Sequence, residues 1–332
     1  MMFFHWVLGF IFLIVRLSVV LILLLTCAAY LVWGERKLLG RMQARYGPNR
    51  AGRYGLLQPL ADVIKLITKE DTVPEGASKV IFLLAPGVVG LIALLIFAVV
   101  PFGRNILLWG RPVPLVITDL NIGLLFVLAL SSVGVYGIAL GGWASNSKYS
   151  LLGGIRGAAQ MISYEIPLGL SLVPVVMLAR SLSLVEITNA QSGYPFILVQ
   201  PFSFVIFLVA AVAEIKRIPF DLPEAENELG AGYHTEYSGM RFGLFFLGEY
   251  ITMIILGSLV AVFFLGGWHG PWLPPLLWFL IKVGVIVFVL IWFRATFPRV
   301  RYDQLMNTGW KVLIPVALIN IIATGAFILG KT

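Results

Sequence analysis

Glu165 in QMISYEIPLGL, Glu214 in AAVAEIKR and Glu249 in FFLGEYITM each interrupt a long apolar run. Insertion scales put an ionised acid at mid-helix at about 2.5 to 3.5 kcal/mol, so three in consecutive runs need a physical reason. Two chemistries offer one. The acids pair with cations, for which Lys282, Lys216 and Arg217 are the candidates, or they form a proton relay through the membrane. Tyr164 and Tyr250, next to two of them, are placed to organise water.

A denser set of acids lies between two apolar runs. PFDLPEAENELGAGYHTEYSGM, residues 219–240, holds Asp221, Glu224, Glu226, Glu228 and Glu236, five of the sixteen carboxylates in the chain. The spacing predicts that Asp221 N-caps a short helix, with Pro223 in its first turn and Glu224 three residues after the cap. Capping uses two of the five. Glu224 and Glu228 would also repel as i, i+4 neighbours on such a helix.

Cations cluster earlier. ERKLLGRMQARYGPNRAG, residues 35–52, brings Arg36, Lys37, Arg41, Arg45 and Arg50 out of an apolar run, with turn chemistry at YGPN. Topology control and a positively lined mouth are both open readings. In the segment that follows, Leu56, Leu60, Val63, Ile64 and Ile67 recur at helical spacing opposite Asp62, Lys65, Lys69 and Glu70, which predicts a helix lying along the membrane surface.

The elements that must position these residues follow from composition. Of 332 residues, 59% are hydrophobic and 12% charged, with mean hydropathy +0.95, far from the balance of a soluble domain. The expectation is an all-α polytopic membrane protein, a single integral domain over 1–332. Eight spans are expected near 16–34, 79–101, 118–143, 157–180, 201–216, 241–265, 276–297 and 309–330, plus the interfacial helix. The first span begins late, with residues 1–15 partly in the interface.

Eighteen of the 24 Lys and Arg fall in 34–79, 143–156, 216–241 and 294–311, against Arg104, Arg111, Arg180 and Lys331 on the other side. Loops 34–78 and 217–240 are therefore expected to be cytoplasmic and both termini external. The same rule, with anionic lipid or partner surfaces, accounts for the net charge of +8 and leaves no basic soluble domain to bind nucleic acid. Cys27, His5, His234 and His269 are too few and scattered for a zinc or iron–sulfur site. The N-terminal run lacks a basic start and a cleavage site, so no cleaved signal is expected. Trp143 and Trp268, each in GGW near a span end, read as interfacial anchors. No strong internal repeat supports a stand-alone secondary transporter.

ERKLLGRMQARYGPN, DLNIGLLF, YSLLGGIRGAAQMISYE, IPFDLPEAENELGAGYHTEYSGM and RATFPRVRYDQLM together resemble the H-subunit family of bacterial NADH:quinone oxidoreductase, respiratory complex I, whose mitochondrial counterpart is subunit 1. The likeness runs essentially the whole length. One departure is AEIKRIPFD, where many members carry AETNRxPFD, so that Lys216 adds a charge. The resemblance implies a subunit at the heel of the L-shaped complex in the bacterial inner membrane, with eight spans and an interfacial helix. It implies quinone as substrate and no cofactor bound by this chain. FMN and the iron–sulfur clusters belong to peripheral partners, and the isolated chain is not expected to be catalytic. Implied quinone-chamber residues are Glu35, Arg36, Arg45 and Asp62 in the first loop and Arg217 and Phe220 in the third. Asp221, Glu224, Glu226 and Glu228 match the acidic loop that couples the chamber to a proton path of Glu165, Glu214 and Glu249. Partners are the peripheral-arm quinone-site subunits, the membrane-arm subunits and lipid. A homologous membrane subunit of a hydrogenase or formate hydrogenlyase is the alternative.

Overall fold

In lipid each backbone N–H and C=O must be satisfied within the protein, and helix supplies those bonds over most of this chain. The computed structural model describes residues 2–103, 106–108, 111–113 and 115–330; the side chains described begin at residue 14 and exclude 106–108, 111–113, 226 and 227. The chain divides into two compact units, Met1–Ile64 and Lys65–Thr332.

The N-terminal unit is built on α1 (Met2–Met42), 41 residues in one helix. The helix itself begins at Met2 rather than late, because no proline breaks the run toward the N-terminus. At 1.5 Å per residue it is about 60 Å long, roughly twice a hydrocarbon core. Among the residues whose side chains are described, Ile14–Met42 is long and apolar enough to cross a membrane. The YGPN turn then folds back onto the end of α1, where a Cβ on Gly47 would lie 2.9 Å from Lys37 Cα, so only glycine permits the approach. α2 (Gln58–Thr68) begins in this unit and ends in the next, and its Leu60, Val63, Ile64 and Ile67 are all exposed.

In the C-terminal unit come α3 (Lys79–Phe97), α4 (Gly123–Ala144), α5 (Lys148–Ala179), the short α6 (Leu184–Asn189) and α7 (Pro201–Glu214). They are followed by a four-residue turn of helix, α8 (Glu226–Leu229), then α9 (Gly239–Phe264), α10 (Pro275–Thr296), α11 (Tyr302–Asn307) and α12 (Ile314–Leu329). A π-helical turn, Thr308–Leu313, joins α11 to α12. An antiparallel pair, β1 (Ile106–Leu108) and β2 (Arg111–Val113), is a small departure from the all-α expectation.

Seven helices among the described residues are long and apolar enough to cross a membrane. The expected eighth, α7, has 14 residues, about 21 Å against a core of about 30 Å. Two expected boundaries move for local reasons. α3 stops at Phe97 because Val99 and Val100 tighten onto the carbonyls of Ile96 and Phe97 ahead of Pro101. α5 starts at Lys148 rather than 157, since the polar-looking segment SLLGGIRGAAQ is helical and uses small residues for close packing. A Cβ on Gly154 would meet Gly142 Cα of α4 at 3.2 Å.

Packing runs from α5 to α4, α7 and α12, and from α9 to α3 and α10. Phe82 stacks on Tyr237 at 4.1 Å, and Phe207 of α7 meets Phe263 and Phe264 of α9. Trp143 is exposed. Trp268 is buried and its indole Nε1 has no hydrogen-bond partner among the described residues, which corrects its reading as an interfacial anchor.

Candidate functional site

In the N-terminal unit the first-loop residues gather at the end of α1. Arg36 Nη1 bonds Asp62 Oδ2 at 2.8 Å and Gln58 Nε2 bonds Asp62 Oδ1 at 2.9 Å, so the carboxylate is held from two sides. Arg45 Nε donates to Gln43 Oε1 at 2.7 Å. Glu35 is buried beside them in sequence. Arg36, Arg45, Tyr46, Asn49, Arg50 and Gln58 line an open groove of about 670 Å³. Its three guanidinium groups and amides suit a polar or anionic visitor.

In the C-terminal unit the three membrane acids are each held differently. Glu165 of α5 accepts from Ser132 of α4, and Glu214 at the end of α7 has Ser131 as partner. Glu165 and Glu214 are near enough to interact as like charges. Glu249 of α9 is ion-paired with Arg217, whose guanidinium also lies 4.6 Å from the Tyr250 ring centre. A cavity of about 70 Å³ has Glu214, Lys216 and Glu249 as its ionisable lining, with Ser131 and Thr252 adding hydroxyls. That is room for water with enough polar partners to hold it.

Pairing with Lys282, one expectation for these acids, is corrected. Its ammonium donates to the carbonyls of Leu265 at 2.6 Å, Gly267 at 2.9 Å and His269 at 2.6 Å, saturating the chain just past the end of α9. Tyr164 is likewise engaged, since its hydroxyl donates to Leu305 O at 2.9 Å, one turn before the π-helical stretch.

The acidic loop is fixed by side chains that the sequence did not single out. Gln160 of α5 donates to Ala213 O at 2.6 Å and to Phe220 O at 2.8 Å, which ties the end of α7 to the loop. The Phe220 ring tilts against Tyr164 at 5.8 Å. A Cβ on Gly153 would meet Gly232 Cα at 2.7 Å, so the far side of the loop seats directly on α5. Asp221 Oδ2 accepts from Arg299 at 3.0 Å. Glu224 Oε1 accepts from Tyr233 Oη at 3.0 Å and lies 4.0 Å from His234 Nδ1. Tyr233 Oη in turn accepts from Lys216 Nζ at 3.2 Å. Glu228 pairs with Arg156 at 2.6 Å in a largely exposed position. The backbone of Glu226 opens α8, but its side chain lies outside the described residues.

Capping does not explain this loop. α8 is four residues long, begins after Ala225 and has no side-chain cap, so Asp221 caps nothing. Burial instead raises the Asp221 carboxyl above its ordinary value, against the Arg299 guanidinium that lowers it. Burial raises Glu224 too, opposed by Lys216. Burial, then Glu224, raises the Tyr233 hydroxyl. Arg299 sits in RATFPRVRYDQLM and Gln160 five residues before Glu165; both were visible as motif members, but nothing in the spacing named their targets.

A family model described as NADH dehydrogenase matches residues 15–325. The second NADH-quinone oxidoreductase H subunit of Syntrophobacter fumaroxidans is 69% identical over 325 residues, 98% of this chain and 98% of that one. The first H subunit of Geobacter metallireducens is 63% identical over 310 residues, 93% of this chain and 94% of the relative. For the H subunit of Protochlamydia amoebophila the identity is 53% over 304 residues, 92% and 94% of the two chains. The match spans the helices, the first loop and the acidic loop alike, and the chain belongs to the NADH dehydrogenase family.

Proposed function

We propose that this chain is the membrane-embedded H subunit of a proton-pumping bacterial NADH:quinone oxidoreductase, and that it joins the quinone chamber to a proton path. The observation that supports the reading is a run of polar groups leading from the loop: Glu224 to Tyr233, Tyr233 to Lys216, and Lys216 lining the cavity shared by Glu214 and Glu249. Glu35, Arg36, Arg45 and Asp62 contribute to the chamber from the first loop, and Arg217 and Phe220 from the third. Asp221, Glu224, Glu226 and Glu228 form the coupling loop, and Glu165, Glu214 and Glu249 the path.

The whole chain is one integral domain of the inner membrane, with α7 as the shortest of eight spans and α2 lying along the interface. Loops 34–78 and 217–240 face the cytoplasm and both termini face outward. Its partners are the peripheral-arm quinone-site subunits, which hold FMN and iron–sulfur clusters, and the neighbouring membrane-arm subunits.

Quinone reduction takes up two protons, and the charge demand this creates reaches the loop acids. Their carboxyls are raised by burial, so a change in nearby charge moves their protons. The membrane acids respond in turn. Depleting the chain from its native membranes tests this. NADH-driven quinone reduction and proton transport should vanish, while NADH oxidation by an artificial acceptor at the peripheral arm persists. Loss of hydrogen evolution instead would favour the hydrogenase alternative and contradict the reading.

A further inference from the structure

Lys216 occupies a position its backbone does not favour. It follows α7 with φ 56°, in the left-handed region that L residues other than Asn and Asp largely avoid, and its side chain is buried at 7% exposure. A buried ammonium at a left-handed backbone position is costly twice, so what the amine meets matters.

Lys216 Nζ donates to Tyr233 Oη at 3.2 Å, and Tyr233 donates to Glu224 at 3.0 Å. The same lysine lines the cavity of about 70 Å³ whose other ionisable walls are Glu214 and Glu249. The charged groups acting on the amine are Glu224, Glu249, Asp221 and Arg217, three acids and one cation, and the cation is engaged with Glu249.

We propose that Lys216 carries protons between the acidic loop and the membrane carboxylates, a step that rests on the function proposed above. The ammonium gives one N–H proton across cavity water to the carboxylate of Glu249 or Glu214. The neutral amine then takes the Tyr233 hydroxyl proton as that oxygen takes the proton of the Glu224 carboxylic acid. Lysine and tyrosine end as they began, Glu224 is left a carboxylate, and one proton has moved. Arg217, one residue away, cannot serve, because guanidinium holds its protons at every physiological pH.

Three substitutions in the intact membrane complex separate this from a fixed-charge role: Lys216→Asn, which suits the left-handed backbone; Lys216→Arg, which keeps charge but not a transferable proton; and Lys216→His, which can pass one on. Rates are normalised to NADH oxidation by an artificial acceptor. Quinone-linked proton transport should fall about tenfold or more in the Asn and Arg variants and recover substantially with His. Wild-type transport in the Asn or Arg variant, or His no better than Asn, overturns the proposal; if Arg prevents assembly, the Asn and His variants decide alone. Wild-type NADH-driven transport that does not depend on this chain would instead refute the proposed function.

Discussion

Two arginine–carboxylate pairs in this chain have opposite characters. Arg36–Asp62, in the N-terminal unit, leaves 45% and 33% of its side chains exposed. Arg217–Glu249, in the C-terminal unit, leaves 7% and 11%. Water screens the first, so it can open and close at little cost. The second has lost its water, and each partner depends on the other. The first-loop pair is therefore adaptable, while Arg217 and Glu249 are locked to each other.

Breaking the buried pair should do most damage. Arg217→Gln leaves Glu249 without its guanidinium, at a cost of about 3 to 5 kcal/mol. Assembled complex in membranes, measured by native electrophoresis, should fall sharply; normal content with normal quinone reduction would show that the pair is dispensable.

Glu165 extends the contrast because its described partner is a hydroxyl, Ser132, rather than a cation. Glu165→Gln keeps size and hydrogen bonding, so content should be normal while quinone-linked turnover falls about tenfold. Glu249→Gln, which strands Arg217, should lower content as well. Equal content in the two variants would erase the distinction between a path acid held by a hydroxyl and one held by a cation.

That distinction was only half legible in the sequence. Apolar runs gave away the spans because the bilayer demands length and low charge, and those are local properties. α1 and α5 begin earlier than expected because nothing in the preceding residues breaks either helix. Side chains that reach across the fold were invisible: Lys282 lies among apolar residues in α10 yet serves the carbonyls after α9, and Asp221 has the spacing of a cap yet meets Arg299, 78 residues on. Spacing encodes what a residue can do with its own helix, and these partners come from others.

A smaller effect should appear in the pH dependence of the loop. Asp221 and Glu224 hold protons more tightly when folded than at their ordinary values of 3.8 and 4.5. Their protonated forms therefore favour the folded loop, fully below those ordinary values, and that contribution is lost as pH rises through the raised ones. Limited proteolysis across 219–240 should be slower at mildly acidic than at alkaline pH, and Asp221→Asn with Glu224→Gln should flatten the difference. A loop that is better protected at high pH would reverse the sign.

The smallest effect belongs to the exposed pair. Asp62→Asn should change the stability of the complex by no more than about 1 kcal/mol, with any consequence confined to the KM for quinone. A collapse in content would mean that Arg36 and Asp62 are as interdependent as Arg217 and Glu249.

The central claim is that the acidic loop passes charge from the quinone chamber to the membrane acids, and Glu224 is its most connected carboxylate. Its direct test is Glu224→Gln in reconstituted vesicles, with quinone-linked proton transport and artificial-acceptor NADH oxidation measured on the same preparation. The account predicts transport lowered about tenfold or more with the artificial-acceptor rate unchanged, as expected when one proton-transfer group is removed. Wild-type values in both assays would contradict it.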